Sequence, residues 1–326
     1  MRCKKIPHEF VRNFRKFATM GLLPTTRTVE IELDEGVLRA LESSAYFPFS
    51  CTGVEQRAAM VLNRWAAHSL ESDDAPTRQP STSSQPALYV SAPIADLVKG
   101  LLHGHEQVGT ALRHGNFGLG TLHMLDGEVV VLDGVAYQQT PEGTCNVVAP
   151  EALSPFMMVT RFDDCRAQHL RLDGPLDLEG LQRKLGEILT TKNAFWAIKV
   201  SGSFSYLKCR AVRKQEVDRP LIEVTREQAI IEWTEAVEGT CVGFFSPQFI
   251  GHQLTVPGWH LHFISAEHTA GGHCLGLSVA DGSRIDVSIM DLHDVIQEFP
   301  RTTEFEQADF VSGAAEAEAQ LKEAEG

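Results

Sequence analysis

The chain has 326 residues, 43% of them hydrophobic, and a formal net charge of −14 at pH 7 that is distributed rather than gathered in runs. That length provides for one large or two ordinary cores, and the acidic balance argues against nonspecific binding to nucleic acid or to an acidic membrane surface. No apolar run is long enough to span a bilayer, and the opening MRCKKIPHEFVRNFRKF lacks the apolar stretch of a secretory signal. The seven cysteines (Cys3, Cys51, Cys145, Cys165, Cys209, Cys241 and Cys274) are scattered and form no CxxC pair, which predicts reduced thiols in a cytoplasmic protein.

Residues 1–68 open with an alternating run, Thr28-Val29-Glu30-Ile31-Glu32-Leu33, followed by Asp34 as N-cap of a short helix carrying Val37, Leu38 and Leu41. A second helix, from Gly53, places Val54, Ala58, Val61, Leu62 and Trp65 on one stripe. Strand, helix, helix in this order resembles the ribbon-helix-helix module, which builds its core only as an intertwined dimer. Glu30 and Glu32 alternate with Val29 and Ile31 and would repel phosphates, so the segment reads as a dimerising appendage rather than a DNA reader. Residues 69–86, SLESDDAPTRQPSTSSQP, are polar, rich in Pro and Ser, and without periodicity: a linker.

From residue 87 to 313 the chain is dense in short apolar runs and Gly-bearing turns. Ser91 to Leu102 predicts a helix with Ile94, Leu97, Val98 and Leu101 inward. His114 to Gln139 reads as hairpin-rich β structure turning at Asp126-Gly127 and Asp133-Gly134. Gly118 and Gly120 form a GxG, but no phosphate-cradling helix start follows, so a nucleotide loop is excluded. A helix is expected from Leu176 to Leu189, then strands at Phe195–Val200, Tyr206–Val212 and Thr240–Phe245.

The stretch Pro257 to Leu275, PGWHLHFISAEHTAGGHCL, carries the clearest chemistry. In a strand, side chains two apart share a face, so His260 and His262 aim together while Trp259, Leu261 and Phe263 pack behind. Gly271-Gly272 is expected to turn the chain and bring His273 beside the pair, with Cys274 facing the opposite way. Three imidazoles with positions left open suit Zn²⁺ or a similar divalent ion in a catalytic role. His103-Gly104-His105 has the same spacing but follows a helix end and stays outside this site.

HGNFGLGTLHMLDGEVVVLDG, LSPF at Leu153–Phe156, NAFWAIKVSGSF, CRAV at Cys209–Val212, GTCVGFFSPQF and PGWHLHFIS…GGH occur here in that order. Together they resemble the α-acetolactate decarboxylase family over about Leu88 to Phe310. The resemblance implies an α/β fold of two packed halves, each with a mixed β-sheet, and a zinc enzyme converting 2-acetolactate to acetoin and CO₂. It implies His260, His262 and His273 as metal ligands, with Glu128 and Arg210 in the active site. A divalent ion chelating the ketone and hydroxyl oxygens would stabilise the enediolate left by CO₂. Arg210 would fork onto the carboxylate, and Glu128 would deliver the proton.

Two positions depart from the family pattern. Asn116 stands in GNFG where GDFG is common, and Lys199 stands where arginine is common. The C-terminal stretch 314–326 has almost no apolar stripe and reads from composition as a solvated tail. The resemblance implies instead that a glutamate near the chain end enters the pocket as a second acid or base, Glu325 counted from the terminus or Glu323 counted from the histidines. The expected partners are the small-molecule substrate and a second copy in a homodimer, with neither nucleic acid nor membrane. Other readings are a catalytically inactive family member that holds metal as an interaction protein, and a zinc hydrolase using metal-bound hydroxide.

Overall fold

The computed structural model describes residues 86–312 together with Ala319 and Leu321. The strand-helix-helix segment and almost all of the linker lie outside the described residues, as do Glu323 and Glu325. The described residues belong to one unit, Ser83–Gly326. None of their helices is long and apolar enough to cross a membrane.

The first half of this unit contributes β1 (Ala87–Val90), β2 (Glu106–Gln107), β3 (Phe117–Thr121), β4 (Glu128–Leu132), β5 (Val135–Gln139), β6 (Cys145–Val147), β7 (Leu153–Ser154) and β8 (Phe156–Thr160). The second contributes β9 (Gln168–Asp173), β10 (Leu176–Asp177), β11 (Phe195–Phe204), β12 (Tyr206–Ala211), β13 (Ala229–Trp233), β14 (Val237–Ser246), β15 (Gly258–Ser265), β16 (Gly271–Val279), β17 (Arg284–Leu292) and β18 (Asp294–Gln297). Helices are few and mostly short: α1 (Ala95–Val98), α2 (Val108–Ala111), α3 (Leu178–Ile188), α4 (Leu221–Thr225), α5 (Gly251–Leu254) and α6 (Thr303–Gln307).

Two large sheets result, in a mixed α+β architecture; the mixed sheet expected of each half is found only in the first, because the second is built from strands that pair antiparallel. One has seven strands in the order β18-β1-β8-β3-β4-β5-β6, mixed through its single parallel pair, β1 with β18. The other has nine, ordered β13-β12-β16-β15-β14-β11-β17-β9 with β10 beside β16, and its described pairings are all antiparallel. The valine run of β4 is explained by burial on both faces: Val130 joins the core that also holds Phe244 and Ile264 of the second sheet, while Val129 and Val131 join the core on the reverse side.

Local chemistry sets the helix ends. The Asp177 side chain caps α3 by accepting from the Gly180 N–H at 2.7 Å, and Leu181 and Leu185 are its buried stripe. The helix expected over Ser91–Leu102 shrinks to Ala95–Val98, because Gly100 turns left-handed at φ 83°. Gly118 and Gly120 are strand residues, as their rejection as a nucleotide loop requires. A β-carbon on either would run into a carbonyl oxygen of β8, at Met158 or Phe156.

That close approach predicts that Gly118→Ala destabilises the fold by about 1–3 kcal/mol. The check is the urea midpoint, and an unchanged midpoint would mean the two strands separate freely.

Candidate metal centre and active site

The histidines stand on neighbouring strands of the nine-stranded sheet. His260 and His262 share one face of β15, and the β15–β16 register sets His273 directly opposite His262. Gly271-Gly272 is not the turn, contrary to the sequence expectation. These residues begin β16, and the reversal is made upstream, where Ser265 N–H donates to Ala270 O at 2.9 Å and His268 takes φ 55°. Both glycines are demanded by crowding: a β-carbon on Gly271 would strike the Phe263 carbonyl, and one on Gly272, at φ 155°, would lie 2.6 Å from Arg210 O.

The three rings form a near-equilateral set, with centroids 5.0–5.1 Å apart. One nitrogen from each lies within 4.8 Å of the others. His262 Nδ1 sits 2.9 Å from the Val129 carbonyl of β4. A carbonyl only accepts, so Nδ1 carries the proton and Nε2 presents its lone pair, 3.3 Å from His273 Nδ1. Burial, with a smaller contribution from the Arg210 charge, pushes the His260 pKa down to about 3 and keeps that ring neutral. Neutral, convergent imidazoles are the ligand form, and this donor set fits a divalent metal ion.

Glu128 and Arg210 reach the same pocket from different sheets. Glu128 begins β4, is 8% exposed, and puts Oε2 3.7 Å from His262 Nε2. Arg210, 3% exposed, pairs in register with His273 across β12 and β16, and its Nη1 donates to Gln228 Oε1 at 3.2 Å. Ile94, Leu97, Leu125, Phe156, Val212 and Leu221 supply an apolar wall, with Thr121 and Thr225 among them. Met124 and Leu125 take left-handed backbone, at φ 60° and 54°, where the chain folds over the pocket edge.

Gln228 carries no local pattern and was missed in the sequence, because only the pairing of β12 with β13 brings it to the guanidinium. The two departures fall outside the pocket lining. Asn116 clamps Phe162, its Oδ1 accepting from Phe162 N–H at 2.8 Å. Lys199 Nζ pairs with Asp164 Oδ1 at 2.8 Å, above the Phe162 ring. Cys274 faces away from the three histidines, buried in the core behind the sheet with Cys209 and Cys241.

Among known proteins, the family model for alpha-acetolactate decarboxylase matches residues 88–312. The alpha-acetolactate decarboxylase of Methanosarcina mazei is 35% identical over 233 residues, covering 70% of this chain and 77% of that protein. That of Brevibacillus brevis is 31% identical over 268 residues, covering 80% and 92%. A crystal structure of alpha-acetolactate decarboxylase from Bacillus subtilis superposes with a TM-score of 0.69 at 26% identity, covering 74% of this chain and 99% of that one. With the family model spanning well over half of its length, the chain belongs to the α-acetolactate decarboxylase family of carboxy-lyases.

Proposed function

We propose that this protein decarboxylates 2-acetolactate to acetoin and CO₂, with a zinc ion held by His260, His262 and His273. The observation that carries this reading is the meeting, in one largely apolar pocket, of three convergent imidazoles, the Glu128 carboxyl and the Arg210 guanidinium. Bound there, zinc would supply Lewis-acid stabilisation of the negative charge that the substrate's ketone oxygen gains as CO₂ departs.

The protein groups do the remainder. Arg210, braced by Gln228, offers two parallel N–H donors to the substrate carboxylate and so orients the bond that breaks. As that bond breaks, its electron pair passes into an enediolate. Glu128 gives its proton to the carbon that lost CO₂, which forms acetoin, and takes a proton back from solvent. The apolar wall lowers the local dielectric and so strengthens each of these electrostatic contacts.

Glu325, or Glu323 in its place, completes the reading as a second acid or base opposite Glu128, which would confine protonation to one face. The support is Leu321, which is 1% exposed and belongs to the core cluster that also contains Leu97, Leu125 and Leu221 of the pocket wall. Residues 1–68 form a dimerising appendage, 69–86 a linker, 87–313 the catalytic domain of a cytoplasmic homodimer, and 314–326 a tail that returns to it.

Purified protein given racemic acetolactate is expected to release CO₂ and acetoin, and to stop when a chelator strips the metal. His262→Ala is expected to lose both metal and turnover. Metal retained at full stoichiometry without turnover would instead identify an inactive family member, and turnover indifferent to chelation would remove the metal from the reaction.

Arg210→Lys keeps the charge but not the fork, so kcat/KM is expected to fall by about 1.5–3 kcal/mol of transition-state stabilisation while metal content stays normal. Unchanged kcat/KM would assign the carboxylate to another cation. A chain ending at Gly313 is expected to keep fold and metal but to lose activity or the enantiomeric purity of its acetoin. A wild-type rate and enantiomer ratio would make the tail a solvated appendage.

A further inference from the structure

A second cavity lies beside α1. Ile94 and Leu97 face the histidine pocket, whereas Asp96, between them in sequence, lines the second cavity with His105, Asp218, Glu304, Leu101 and Phe305. Asp96 is 3% exposed, and its Oδ1 is buried without a hydrogen-bond partner. Leaving a buried carboxyl oxygen unpaired is costly, and a ligand that donates to the Asp96 carboxyl offsets part of that cost.

The neighbouring groups share its character. His105 Nε2 lies 3.1 Å from the Ser91 carbonyl and must donate to it, which leaves Nδ1 as an acceptor. Burial lowers the His105 pKa and keeps that ring neutral. Asp218 Oδ1 accepts from Leu102 N–H at 3.3 Å, and Oδ2 lies 3.6 Å from His103 Nε2. No lysine or arginine is among the described residues that line the cavity, so an anion or a zwitterion would find no counter-charge.

Charge and acceptors select a cation, and spacing selects its kind. Among the described residues, only the His260, His262 and His273 atoms all converge within 4.8 Å. No three acceptors among the described residues of the second cavity cluster in that way, which suits hydrogen bonds of about 2.8 Å better than metal–ligand bonds of about 2.1 Å. Leu101 and Phe305 offer apolar surface, and the Phe305 ring can face a positive charge. We propose that this cavity is a second ligand site, which binds a small organic ammonium ion through the acceptors of Asp96 and His105 and rests its alkyl part on Leu101 and Phe305. Burial raises the Asp96 pKa to about 7, the environment in which a bound cation has most to offset.

The test is calorimetric titration of the full chain with n-butylammonium, alongside n-butanol and butyrate as isosteric neutral and anionic probes. The ammonium is expected to bind saturably, and the other two are not. Asp96→Asn should weaken binding roughly tenfold or more, whereas Glu128→Gln, in the histidine pocket, should leave it unchanged. Asp218→Asn keeps the oxygen that accepts from Leu102 and supplies an independent second reading, a severalfold loss. Absence of saturable ammonium binding, equal binding of n-butanol, or an affinity indifferent to both Asp96→Asn and Asp218→Asn would overturn the proposal.

Discussion

The hydrogen bond from His262 Nδ1 to the Val129 carbonyl, 2.9 Å long, spans the gap between the two sheets. It joins β15 to β4 at the point where each contributes a site residue, and it fixes the tautomer that turns Nε2 toward the other imidazoles. Val129 is the immediate neighbour of Glu128, so the contact that orients the His262 imidazole also sets how far the carboxyl stands from it. A shift of one residue in β4 would send Glu128 to the reverse face and break this contact, because side chains alternate along a strand.

A site assembled this way must tolerate buried polarity. Glu128 and Arg210 are almost fully covered, and so are all three histidines. The His260 imidazole escapes the cost of buried charge by staying neutral, as its depressed pKa indicates. Behind the histidines the sheet presents Leu261, Phe263, Cys241 and Cys274, so the imidazoles are backed by a close-packed layer. Burial holds the Cys209 thiol protonated there, with its pKa raised.

Much of this was legible in the chain where local pattern decides the outcome. The HxH spacing, the later GGH, the Asp-Gly hairpin before Glu128 and the leucine spacing of α3 each report a rule that acts over a few residues. What escaped depended on contacts between distant segments. The 266–270 reversal was hidden because Gly271-Gly272 looks like turn chemistry, while the glycines answer crowding from Phe263 and Arg210. The brace of Arg210 by Gln228, the pairing of Asn116 with Phe162 and the burial of Leu321 follow from packing that no periodicity encodes. The sheet order that sets Glu128 against His262 arises the same way.

The central claim is that one metal ion on His260, His262 and His273 is required for loss of CO₂ from acetolactate. Its most direct test is titration of the metal-free protein with Zn²⁺ while acetoin release is followed. Activity is expected to rise linearly and to break at one equivalent per chain, with no recovery in His262→Ala. Full activity of the metal-free protein, or a break at one equivalent that survives His262→Ala, would contradict it.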